Sequence, residues 1–455
     1  MVNIAEQKFE KFRSPFQAFV RDESLASIFL FLAAVLALLA ANSPLAEQYF
    51  ALVHLPIILG VGDVALRFDA HQLINDGLMA LFFFILGLEI KREFLVGELR
   101  DPKRATALVA AAIGGMAVPA LIYFLFNQNT SSQHGWGIPM ATDSAFALGV
   151  LLLLGDRVPL NLKAFLVGYA IIDDLGAIMV IALFYTDTLN INYLGISVAC
   201  LTVMIACNVI GLRHFFVYMA TGILLWAGLM NAGVHGTVAG VLVALVVPAR
   251  AKHGRLWFLR RAQKLIDKVE RLEKRERVQE KILGNPQQHG AVEAVEQAAA
   301  LATTPLRRWE RSLEPAVLWL ILPLFAFANA GIPLSWERFA ELSVSPIAWG
   351  IVGGLVIGKT VGISVLVWLT VRLGWGRLPD AVTLPHIVGL ALLGGMGFTM
   401  STFIAVLTFD VDNELYLAKT GILIASFIAG LCGYLWLRFC PDERADKAVK
   451  EPPVA

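Results

Sequence analysis

A helix needs about 20 mostly apolar residues to cross a bilayer, and this chain is built of such runs in series. Ending each at glycine, proline or clustered charge gives twelve: 25–41, 72–96, 105–126, 137–154, 161–185, 193–211, 214–228, 233–248, 314–331, 346–371, 382–408 and 416–438. The seventh and eighth are short, so ten or eleven crossings also fit. Of 455 residues, 57% are hydrophobic and 16% charged, too few charges to coat the soluble domains that such a length would otherwise form. An ordinary soluble enzyme is excluded. The expected fold is an all-α polytopic membrane protein of about 12 transmembrane helices.

Charge distribution orients it. The formal net charge of +1 offers no sign of a nucleic-acid partner, yet 15 basic and 8 acidic residues crowd into 250–311. Short cytoplasmic connections collect Lys and Arg. With the N-terminus inside, the short inner connections hold Arg100, Lys103, Arg104, Arg157, Lys163, Arg213, Arg372 and Arg377, and the outer ones only Arg67 and Arg338. Both termini are therefore expected in the cytoplasm, with the basic insertion on the same side. The segments are then an N-terminal piece at 1–24, eight helices at 25–248, the basic loop at 249–312, four helices at 313–438 and a tail at 439–455. No small-residue cleavage site follows the first apolar run, which is read as a retained helix rather than a signal peptide. Cys200, Cys207, Cys432 and Cys440 lack Cys-x-x-Cys spacing and are read as packing residues.

Two stretches lie outside the apolar runs. Residues 52–58 and 64–68 flank Gly60-Val61-Gly62-Asp63 and predict an external β-hairpin at about 50–70. In the basic loop, Leu265, Val269 and Leu272 recur at helical spacing, so 261–283 reads as an amphipathic helix and the Gln- and Ala-rich 284–304 as a linker. That helix could lie on anionic lipid, bind a partner or be a solvated arm.

Ionisable groups in spanning helices cost roughly 2.5 to 3.5 kcal/mol each to insert, so each needs a function or a partner. Here they are Asp76, Asp143, Asp173, Asp174 and Lys359. Adjacent helical residues point about 100° apart; Asp173 and Asp174 cannot both face one partner. One can pair with Lys359 while the other faces a cavity. A packing ion pair alone would leave the second acid uncompensated in low dielectric. Buried carboxylates without a counter-charge hold protons more tightly, and the oxygens that hold a proton also suit a hard cation such as Na⁺. Competition of proton and cation for one site is antiporter chemistry.

Two segments interrupt their helices where such a site would need it. Gly135-Trp136-Gly137-Ile138-Pro139-Met140-Ala141-Thr142-Asp143 falls in or near the fourth run, and Leu393-Gly394-Gly395-Met396-Gly397-Phe398 in the eleventh. Paired interruptions point to discontinuous helices whose half-helix ends line a substrate site. Asp143 could balance the N-terminal ends and Lys359 the C-terminal ones.

At these residues the chain resembles the NhaA-type sodium/proton antiporters. The segments carrying the likeness are Asn75-Asp76-Gly77-Leu78-Met79 with Gly87-Leu88-Glu89-Ile90-Lys91-Arg92-Glu93, Ala141-Thr142-Asp143-Ser144-Ala145-Phe146, Ala170-Ile171-Ile172-Asp173-Asp174-Leu175-Gly176, Gly233-Val234-His235-Gly236-Thr237, Phe325-Ala326-Phe327-Ala328-Asn329-Ala330-Gly331 and Gly397-Phe398-Thr399-Met400-Ser401. They occur in the family's order and span nearly the whole chain. The resemblance implies twelve helices in inverted repeats, with helices 4 and 11 broken and crossing, in a bacterial inner membrane. It implies electrogenic exchange of cytoplasmic Na⁺ or Li⁺ for external H⁺, with no cofactor. Carried over by motif, Asp174 is the principal cation and proton carboxylate, Asp173 its neighbour and the partner of Lys359, and Thr142 and Asp143 stand at the helix break. Asp76 is a secondary buried acid. pH regulation falls to Glu89, Arg92, Glu93, Arg308, Glu310 and Arg311, with His235 as a further candidate. The hairpin resembles the family's dimer contact, implying a homodimer. Two departures stand out: the loop at 250–311 is far longer than usual, and Arg311 and Glu314 occupy places where relatives can carry histidine.

The competing readings are weaker. Gly353-Gly354-Leu355-Val356-Ile357-Gly358-Lys359-Thr360 spells a phosphate loop but lies within an apolar run, not between a strand and a helix in water. Gly60-Val61-Gly62-Asp63 matches an intramembrane-protease motif but falls in a turn. A channel would need rings of repeated ligands. The runner-up is a proton-coupled carrier of a small organic solute.

Overall fold

The computed structural model describes residues 15–61, 64–97, 101–186, 189–252, 254–275 and 286–440. Among these, seven helices are long and apolar enough to cross a membrane: Ala70–Val96, Pro102–Phe126, Leu160–Phe184, Ile191–Ile210, Pro305–Ala330, Pro346–Arg372 and Asp412–Phe439. Two further spans are broken pairs, Ser131–Met140 with Ser144–Leu153 and Leu384–Gly394 with Phe398–Thr408, each bent by 43°. Leu25–Ala41, Phe215–Asn231 and Gly236–Val246 are shorter apolar helices, so twelve crossings requires all three to span.

Local chemistry sets the ends. Asp101 caps Pro102–Phe126 by accepting from the Lys103 amide, with Pro102 in the first turn. Ile191–Ile210 ends on Gly211 at φ 84°, a left-handed conformation that glycine adopts without a Cβ clash. The helices pack through small residues and turn large apolar ones outward. Val209 and Ile210 are 82% and 80% exposed, an inversion that suits lipid rather than water as the solvent. Pro102–Phe126 and the Lys359–Arg372 part of its neighbour approach closely, so that a Cβ on Gly114 would strike the Gly362 carbonyl and one on Gly362 the Gly114 carbonyl. Gly114→Ala is therefore expected to destabilise the protein by about 1–3 kcal/mol, the usual cost of overpacking. A thermal unfolding midpoint in detergent equal to wild type would contradict this packing.

The hairpin forms, but shorter than predicted. Pro56–Val61 pairs antiparallel with Val64–Asp69, whereas 52–53, assigned above to the first strand, end the helix Ala46–Val53. Gly62 and Asp63 lie outside the described residues. In the basic insertion, the amphipathic helix runs from Arg255 to Arg275; 276–283 lie outside the description. The predicted linker is a helix, Pro286–Ala302, packed on the first. Its alanines and glutamines are strong helix formers, and a packing partner makes up for its weak apolar pattern.

Candidate functional site

The two breaks lie against each other. The Asp143 amide donates to the Met396 carbonyl at 2.6 Å, and the Thr142 hydroxyl donates to the Gly394 carbonyl at 2.9 Å. Glycine permits this approach, since a Cβ on Gly397 would sit 2.9 Å from the Ala141 carbonyl. Asp143 accepts from the Phe146 amide (3.1 Å) and from the Thr399 amide (2.9 Å), at the starts of both second halves. One carboxylate thus satisfies two helix N-termini whose partial positive charges face each other.

Lys359 does not cap the opposite ends directly, as predicted. Its ammonium is wholly buried and meets Asp173 Oδ2 at 2.9 Å, Tyr169 OH at 3.0 Å and Thr142 Oγ1 at 2.8 Å. It reaches the Gly394 carbonyl only through Thr142. Asp173 also accepts from the Thr142 amide at 2.9 Å, so its charge is fully compensated. Tyr169 was missed in the sequence, although it stands four residues before Asp173 and so shares its helix face.

Asp174 differs. It is 2% exposed, its Oδ1 has no hydrogen-bond partner, and it forms no ion pair among the described residues. It lines a cavity of about 110 Å³ together with Glu89, Glu310, Glu314, Leu86, Ala170 and Val317. The 100° turn between neighbours sends Asp173 to the lysine and Asp174 to this space.

Two of these lining acids meet Arg92, which gathers Glu310 Oε1 at 2.8 Å, Glu93 Oε1 at 2.7 Å and Glu89 Oε1 at 3.2 Å. Arg307 approaches Glu310 at 3.7 Å. Of the residues assigned to pH regulation, Arg308 and Arg311 stand outside this cluster: Arg308 Nε is buried without a hydrogen-bond partner and Arg311 is exposed. Asp76 and His235 are elsewhere too. Asp76 is half-buried on Ala70–Val96, and its backbone carbonyl accepts from the Trp226 indole at 3.2 Å; His235 immediately precedes Gly236–Val246.

Apolar helices broken in pairs around buried, unequally compensated charges define a membrane transporter of ions. The chain belongs to the Na⁺/H⁺ antiporter 1 family, whose profile matches residues 17–437. It is 44% identical over 438 residues to Na(+)/H(+) antiporter NhaA 1 of Shewanella denitrificans, covering 96% of each chain. It is 45% identical to NhaA of Oleidesulfovibrio alaskensis over 95% of this chain and 96% of that one. To NhaA of Helicobacter pylori it is 44% identical over 94% and 95%. Each of these relatives is named a Na(+)/H(+) antiporter.

Proposed function

We propose that the protein is a secondary antiporter exchanging cytoplasmic Na⁺ or Li⁺ for external H⁺, electrogenically, with Asp174 as the ligand for which cation and proton compete. The observation that carries this reading is the unpartnered, buried oxygen of the cavity-lining Asp174, beside an Asp173 already committed to Lys359. Asp173 and Thr142 supply neighbouring oxygens of the hard type that alkali cations accept. Asp143 holds the opposed N-termini and Lys359 offsets Asp173 alone, so the breaks can exchange exposure to either side. Twelve crossings in inverted repeats, both ends cytoplasmic, in a bacterial inner membrane, complete the reading, with a homodimer formed through the hairpin.

The test is dissipation of a pH gradient in everted vesicles, expected with Na⁺ and Li⁺ and scarcely with K⁺. A response to amino acids instead would replace the reading with that of a solute carrier.

The Arg92 cluster is the pH-responsive element in this reading, with Arg308, Arg311 and His235 as outlying contributors. In Arg92→Ala, Glu89, Glu93 and Glu310 lose their common cation and repel one another. The pH profile of exchange is expected to move to the alkaline side, with maximal rate kept. A profile superposing on wild type would remove the cluster from regulation.

A further inference from the structure

The basic insertion presents an apolar face that the described chain leaves uncovered. Helix Arg255–Arg275 uses one side to pack against Pro286–Ala302, where Leu265 and Ala298 are 7% and 3% exposed. On another side, Leu256, Leu259 and Ile266 are 71%, 51% and 46% exposed. At 100° per residue these three fall within an arc of about 80°, and the exposed Arg260 and Lys264 border it. Of the acids, Asp267 lies just beyond the stripe and accepts from the Gln263 side-chain amide at 3.0 Å, and Glu270 falls within the arc by the same helical pitch.

The insertion is held where it leaves the apolar helices. Its helix follows closely on Gly236–Val246, and at its far end the Leu306 amide donates to the Pro248 carbonyl at 3.3 Å. Both ends of the insertion therefore emerge at one point beside the membrane helices. The face pairs an apolar stripe with a basic border, within a segment carrying 15 bases and 8 acids. That is the pattern of a helix lying in a bilayer interface, where the apolar side enters the acyl boundary and the bases meet anionic headgroups.

We propose that this face, Leu256, Leu259 and Ile266 with Arg260 and Lys264, rests on the anionic lipid of the membrane that holds the protein. The chemistry recognised is a phosphate-bearing headgroup above acyl chains. The proposal is independent of which ion the transporter carries.

The test uses the full chain in vesicles, with a bimane probe attached through Leu259→Cys after the four native cysteines are changed to serine. Vesicles are phosphatidylcholine alone or mixed with phosphatidylglycerol, each with brominated acyl chains. Quenching by brominated lipid is expected to be severalfold stronger with phosphatidylglycerol. Arg260→Glu with Lys264→Glu should abolish that difference while gel-filtration elution and unfolding midpoint stay unchanged. Equal access of aqueous iodide to the probe in both lipids would overturn the proposal in favour of a solvated arm. Lipid-independent protection, with cross-links between copies through the same cysteine, would overturn it in favour of a protein contact. Quenching that survives the charge reversal would remove the headgroup contribution and with it the proposal.

Discussion

Vesicles carrying Asp174→Asn are expected to show no dissipation of a pH gradient by Na⁺ or Li⁺ above the level of vesicles lacking the protein. The amide keeps the shape of the side chain but can neither release a proton near neutrality nor offer an anionic oxygen to a cation. No neighbour can take over. Asp173 is bound to Lys359 and to the Thr142 amide, and Asp143 is committed to the Phe146 and Thr399 amides. The same competition has a linked consequence in the wild type, because coupling between two ligands is reciprocal. On the acid side of its range, apparent Na⁺ affinity should weaken roughly tenfold per pH unit, the factor by which proton activity changes. Calorimetry of the purified protein should in turn find protons released on Li⁺ binding. Wild-type-like exchange in Asp174→Asn, or Li⁺ binding without proton release at every working pH, would defeat the assignment.

Lys359→Met is expected to cost about 3–5 kcal/mol of stability, the range for removing one partner of a buried ion pair. The loss is large because Asp173 has no exposure to water and would remain charged beside an apolar side chain; Tyr169 and Thr142 would lose a donor as well. Adding Asp173→Asn removes the stranded charge and should recover most of the unfolding midpoint, since buried pairs can often be replaced at little net cost. The double variant tests whether the pair serves structure or transport. If stability returns while exchange does not, the charges are needed for transport itself. A single variant as stable as wild type would show that Lys359 does not compensate Asp173.

Much of this was legible in the chain. Apolar runs marked the helices because a bilayer imposes one length on whatever crosses it, and the Gly- and Pro-rich stretches at 135–143 and 393–398 marked the broken pairs. Buried charge is so unfavourable in such a chain that Asp143, Asp173, Asp174 and Lys359 stood out without any structure. The misreadings share a cause. The helix Pro286–Ala302 was taken for a linker because its own apolar pattern is weak and the partner that stabilises it lies elsewhere in sequence. Arg308 and Arg311 came with Glu310 from the family resemblance, and a likeness of motif carries no side-chain direction, which decides that Glu310 alone of the three reaches Arg92.

What the amino-acid order determined by itself was which groups must be buried: adjacency and helical pitch already require that two neighbouring aspartates face different surroundings. Which of them meets Lys359 and which faces the cavity was decided by the packing of Leu160–Phe184 against the two breaks and against Pro346–Arg372. The physical reason is that a charge's partner lies 186 residues away along the chain and is chosen by helix rotation and crossing, quantities that hydropathy does not encode.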